Sequence, residues 1–109
     1  MALYMMQFKY TTEAWTALTN KPEDRRAVLD QLIKKVNGRL LGIYYCIGYY
    51  DGLFLMEVPD DLTAEIVRLS IIDAKIDKEI SITKLLTVEE AMEAMRKAGG
   101  IRYPAPTGR

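Results

Sequence analysis

A chain of 109 residues, half of them hydrophobic and 28% charged, is long enough to bury one core and reads as one soluble globular domain. Lys+Arg and Asp+Glu balance at 15 each, which argues against a general nucleic-acid binder, whose basic stripe would replace counterions. With no histidine and one cysteine, a Ser-His-Asp or Cys-His mechanism within one chain is excluded, zinc lacks its nitrogen and sulfur ligands, and no internal disulfide can form.

The opening MALYMMQFKY has neither the basic n-region nor the cleavage site of a signal peptide, so none is expected. Leu3 to Tyr10 instead predicts a first strand rich in aromatics and methionine. Thr11 or Thr12 can cap a helix after it. Pro22 interrupts that helix or begins a second one, since its ring fits a first turn but not an interior. Val28, Leu29, Leu32, Ile33 and Val36 keep the spacing of one buried helical face. Asn37-Gly38 ends it, with glycine expected in a left-handed cap. Arg39 to Ile47 and Leu53 to Val58 predict strands two and three, the latter closed by Pro59, which has no ladder donor. Asp60 and Asp61 are N-cap candidates for a helix whose Leu62, Ile66, Leu69, Ile72 and Ile76 fall along one side. Ile80 to Leu86 predicts strand four. Thr87-Val88-Glu89-Glu90 is a capping box that opens a last helix, which runs to about Ala98 and stops at Gly99-Gly100. Residues 1–100 then form the domain, and Ile101 to Arg109, with Pro104 and Pro106, a flexible tail.

The order is βαββαβ plus a terminal helix, the ferredoxin-like α+β plan of one antiparallel sheet with its helices on one face. No stretch approaches the ~18 consecutive apolar residues of a membrane span. A Gly-rich phosphate loop and a dinucleotide fingerprint are both missing. Neither membrane, nucleic acid, metal nor cofactor is therefore expected, and the lone Cys46 suits a reducing cytoplasm.

Asp51-Gly52 between two apolar runs signals a hairpin, because a type I′ turn needs positive φ at both central residues. With those residues as the turn, Tyr50 faces Leu53 and Cys46 faces Glu57. Alternation then puts Tyr44, Cys46, Tyr50, Leu53, Leu55 and Glu57 on one face, and Ile43, Tyr45, Ile47, Phe54, Met56 and Val58 on the other. A turn two residues longer gives the same partition. The second face is the drier and is assigned to the helices, together with Tyr4, Met6 and Phe8. Leu3, Met5, Gln7 and Lys9 join the uncovered face, whose apolar area exceeds what monomers usually show. A second copy, sheet against sheet, is the expected cover, most simply as a twofold dimer.

Three blocks carry a family resemblance: LYMMQFKYTTEAW from Leu3 to Trp15, Gly48-Tyr49-Tyr50-Asp51-Gly52 after a strand, and LLTVEEAMEAMRKAGG from Leu85 to Gly100. In that order, over nearly the whole chain, they resemble the GYD-domain family. The resemblance implies a small, mostly bacterial, stand-alone protein with the dimeric α+β-barrel form of the ferredoxin-like fold, and it implies no particular activity. Distant relatives of that barrel include cofactor-free monooxygenases, haem-handling enzymes, isomerases and effector-binding domains, an analogy of fold alone.

Within the residues themselves, Gly48, Asp51 and Gly52 read first as turn residues. Tyr49 and Tyr50 carry hydroxyls that need partners if buried and suit an interface. Gln7, Tyr44 and Glu57 are the sharper candidates on the face to be enclosed: Glu57 as a base if desolvated, Gln7 and Tyr44 as groups that orient a ligand. The plainer reading pairs Glu57 with Lys9 or Lys84, and strand alternation leaves the face of Lys84 open. Cys46 reads as an apolar filler and Trp15 as packing for the first helix. Leu53 and Leu55 occupy positions where an RNA-binding sheet needs aromatics. Three functions remain: binding of a small apolar or aromatic ligand between sheet and partner, a cofactor-independent oxygenase or isomerase with Glu57 as base, and an assembly module with a filled interior.

Overall fold

In the structure, a computed structural model that describes residues 1–108, every second side chain of β1 (Ala2–Tyr10) is buried: Tyr4, Met6, Phe8 and Tyr10. The same period of two runs through β3 (Gly52–Val58), which buries Phe54, Met56 and Val58. Each strand thus offers one dry face, as a pleated strand must. β1 pairs antiparallel with β3 on one side and with β4 (Asp77–Leu85) on the other, and β2 (Arg39–Tyr45) pairs antiparallel with β3. The sheet order is β2-β3-β1-β4.

Against the dry face lie α2 (Arg25–Lys35) and α3 (Asp61–Asp73), which contribute Leu29, Ile33, Ala64 and Val67 to the same core cluster as the strands. Ala14 and Leu18 of α1 (Thr12–Asn20) pack at its margin. This is the ferredoxin-like α+β fold, with the first crossover made of two helices and α4 (Val88–Ala98) added at the end. Among the described residues no helix is long and apolar enough to cross a membrane.

The helix starts follow from side-chain oxygens that satisfy orphan backbone N–H groups. Thr11 accepts from the Ala14 N–H, Asp24 from Arg26 and Asp60 from Thr63. Thr87 and Glu90 make both bonds of the capping box. Pro22 begins no helix; it lies in the link between α1 and α2. β4 starts at Asp77 rather than Ile80, because a bulge at Lys9/Tyr10 lets Tyr10 pair with Asp77. Residues 102–108 have no regular secondary structure, and Arg109, the end of the expected tail, lies outside the described residues.

Two expectations are corrected, and the open face of Lys84 is resolved. After α2 the left-handed residue is Asn37, at φ 61°, and not Gly38. Gly38 answers to packing: a Cβ there would stand 2.8 Å from the Glu57 carbonyl oxygen and from the side chains of Ile33 and Val58. In α3 the larger apolar side chains turn outward, with Leu62 72% exposed and Ile66, Leu69 and Ile72 also exposed. The helix lies on the sheet through Ala64 and Val67 instead. Lys84 sits opposite Tyr4 on the covered face, where it reaches Asp61 at 3.0 Å. Asp61 also accepts a hydrogen bond from the buried Tyr4 hydroxyl, so the start of α3 is pinned to β1 and β4.

α4 has no buried residue, and its Val88, Met92 and Met95 are all exposed. The radius of gyration is 18.0 Å, against about 13 Å for a compact chain of this length.

Candidate functional site

The β2–β3 connection is a six-residue loop, 46–51, closed by the Cys46 N–H on the Asp51 carbonyl at 2.8 Å. Tyr44 pairs with Leu53 and Tyr45 with Gly52. The two-residue Asp51-Gly52 turn is therefore not formed, and Cys46 and Tyr50 leave the strand. The slip involves an even number of residues, so Tyr44, Leu53, Leu55 and Glu57 still share a face. Ile47, expected under the helices, stands fully exposed at the loop tip.

Asp51 explains the loop's form. Its Oδ2 accepts from the Tyr10 N–H at 2.9 Å and from Trp15 Nε1 at 3.0 Å, and its own N–H donates to the Phe8 carbonyl at 2.8 Å. One residue ties the hairpin loop to the end of β1 and to α1. Trp15 stacks edge-on to Tyr10 with centroids 5.1 Å apart, and Tyr45 packs against both. Gly52 lies in β3 without positive φ; a Cβ on it would come within 2.4 Å of Phe8 Cζ. Gly48 has neither positive φ nor a neighbour within 4 Å of a built Cβ, so nothing in the structure demands glycine there. The Tyr49 hydroxyl donates to Glu79 at 3.0 Å, with Lys9 Nζ 3.9 Å from its ring centre and Tyr50 edge-on to it at 5.0 Å. The hydrogen bond to Glu79 raises the Tyr49 pKa above its ordinary value.

The register places the other candidates in rows across the uncovered face. Ser81, Gln7, Leu53 and Tyr44 make one row. Thr83, Met5, Leu55 and Gly42 make the next. Leu85, Leu3, Glu57 and Arg39 make the third. Tyr44, 62% exposed, lays its ring back along β2, since a Cβ on Gly42 would lie 3.1 Å from it. Glu57 Oε1 accepts from Arg39 Nη2 at 2.6 Å and Nε at 3.1 Å, and its partner is thus neither Lys9 nor Lys84. Gln7 and Tyr44 flank Leu53 directly, whereas Glu57 lies four residues further along β3, roughly 13 Å away.

The face is an apolar floor of Leu3, Met5, Leu53 and Leu55, none of them buried. Gln7 and Tyr44 supply amide and hydroxyl groups at one end, and the Arg39–Glu57 pair closes the other. Such a floor can seat an apolar partner, and its first row can orient one polar atom of a ligand. Arg39 escaped the sequence reading because a bulge at Leu41 reverses the alternation of β2, and no local residue pattern announces that bulge.

No curated protein matches the sequence. Solved structures share the fold, two of them as follows. MtbAldR superposes with a TM-score of 0.57 at 14% identity, over 96% of this chain and 58% of that one. The chain thus spans little more than half of that protein. TTHA0845 from Thermus thermophilus superposes with a TM-score of 0.53 at 13% identity, over 81% of this chain and 96% of that one. Identities so low speak to fold alone. The GYD domain model matches residues 4–98, from β1 to the end of α4 and across the Asp51 loop, and the chain belongs to the GYD domain family.

Proposed function

We propose that this chain is a cytoplasmic homo-oligomer, most simply a twofold dimer, that takes up a small apolar or aromatic molecule between the open sheet face and the partner subunit. The observation that carries the reading is the unburied floor of Leu3, Met5, Leu53 and Leu55, interrupted by Gln7 and Tyr44. Water against so continuous an apolar strip is unfavourable, and a second copy is the nearest available cover. The exposed Val88, Met92 and Met95 of α4 add apolar surface left uncovered among the described residues. Gln7 and Tyr44 would orient the ligand, with Tyr50 in the loop that borders it. The reading of Glu57 as a base draws no support from the geometry, because its carboxylate is already bonded to Arg39, far from Gln7 and Tyr44.

Sedimentation equilibrium on the full chain tests the assembly. The expected mass is a small multiple of the monomer at micromolar concentration, and Leu55→Glu is expected to return the monomer with unchanged far-UV dichroism. A wild-type chain that stays monomeric at the highest soluble concentration overturns the reading.

A further inference from the structure

On the opposite side of the sheet, between α2, α3 and the covered strands, the packing leaves a cavity of about 140 Å³. Its wall is mostly apolar and includes Phe8, Leu29, Ile43, Phe54, Ile71 and Ile80. An apolar cavity of roughly this size accommodates one benzene-sized ring. Val28 and Ser70, both exposed, border it and offer a way in.

Two charged side chains break the apolar wall. Arg25 is the first residue of α2, with its Nη1 already paired to Glu23 and its other nitrogens left for a ligand, and Asp77 is the first of β4, paired with Tyr10. Asp77 Oδ1 is shut off from solvent and has no hydrogen-bond partner among the described residues. An orphaned buried oxygen is unfavourable by the full desolvation of the group, so a turn of the Asp77 carboxylate that brings Oδ1 to a donor in the cavity it lines is favoured. Burial also pushes the Asp77 carboxyl up to about 6, with the Arg25 charge opposing and the Asp51 charge adding. A ligand ammonium would meet Arg25, and a ligand carboxylate would meet Asp77. A hydroxyl suits both, since it donates to one and accepts from the other.

We propose that this cavity is a binding site for a small hydroxylated ring of phenol size, its hydroxyl between Asp77 and Arg25 and its carbons against Phe8, Phe54 and Ile80. The site lies within one subunit on the covered face, so it stands or falls independently of the oligomer.

The test is a titration of the isotope-labelled full chain with phenol and, separately, toluene, followed by amide chemical shifts. Phenol is expected to shift residues of α2, α3 and β4 around the cavity, and to bind at least about fivefold more tightly than toluene, the worth of one net hydrogen bond. Asp77→Ala is expected to bring phenol down to the toluene level. Ile71→Trp, which fills the cavity, is expected to abolish both. Should either variant fail to fold, the wild-type comparison still decides. No shift at millimolar phenol, equal affinity for the two probes, or shifts confined to the open face would each overturn the proposal.

Discussion

A single carboxylate, Asp51, holds the β2–β3 loop, the end of β1 and the indole of Trp15 together. Replacing it by alanine leaves the Tyr10 N–H, in a buried residue, without its acceptor and frees the loop. Asp51→Ala is therefore expected to lower stability by about 2 kcal/mol, and Asp51→Asn, which keeps an acceptor oxygen, by less. Urea denaturation checks this through a lower midpoint at unchanged slope. If the alanine variant unfolds at the wild-type midpoint, the loop is held by something else. Asp77 makes an opposite kind of contribution. Its folded pKa of about 6 lies above the ordinary 3.8, with Arg25 on α2, Asp51 in the loop and Tyr10 on β1 as the charged and titratable groups around it. Between those two values the folded chain binds more protons than the unfolded one, so stability falls as pH rises through that window and is flat above it. The shift would nominally be worth about 3 kcal/mol, but a half-exposed group is screened, and about 1 kcal/mol is the reasonable expectation. Asp77→Asn removes the proton linkage. Its stability relative to wild type should rise by that amount between about pH 4 and about pH 8. Thermal melts at both pH values measure it, and a constant difference would show that Asp77 does not titrate in that window.

At the scale of elements, the strands and caps were legible because their signals are local. The alternation of Tyr4, Met6 and Phe8, the capping oxygens of Asp60 and Thr87, and the period of β3 each need only neighbouring residues. The hairpin was legible as a hairpin but not in its register. Asp51-Gly52 looks like a tight turn, yet Asp51 answers to Tyr10 and Trp15 and Gly52 to Phe8, and contacts at such sequence separation leave no mark on the local pattern. The face of α3 was misread for a related reason. Periodicity finds a stripe of large apolar residues, but the helix approaches the sheet through Ala64 and Val67 and leaves Leu62 and Leu69 outside. Of the candidate site, the shared face of Gln7 and Tyr44 could be read from alternation, whereas their common row depends on the hairpin register and the Arg39–Glu57 pair on the bulge at Leu41. The exposed α3 stripe and the exposed Met92 and Met95 of α4 suggest one prediction. If α4 packs on a neighbouring subunit, Met92→Glu with Met95→Glu should weaken assembly at least about tenfold, the loss of one buried methionine side chain or more, while the monomer keeps its fold. Sedimentation velocity of the double variant reads this directly. An unchanged association constant would leave α4 as a free arm.

The whole molecule is a small sheet with helices on one face, an apolar floor on the other and a radius of gyration of 18.0 Å. A chain of this length buries only about two-thirds of its unfolded surface when it folds alone, so its stability margin is thin. Covering the floor with a second copy would add to that margin, and the addition must then obey mass action. For a dimer that unfolds to two free chains, each tenfold rise in concentration stabilises the native side by about 1.4 kcal/mol, or roughly 3 °C in the melting midpoint for two chains of this size. Calorimetric scans from about 1 μM to about 100 μM should therefore show the midpoint climbing by roughly 6 °C, and Leu55→Glu should flatten that climb. Phenol in the cavity would raise the midpoint at every protein concentration alike, because a ligand within one subunit stabilises through its own concentration and not that of the chain. A midpoint indifferent to protein concentration but raised by phenol would thus retain the cavity and dismiss the chamber. The reverse pattern would retain the chamber and dismiss the cavity.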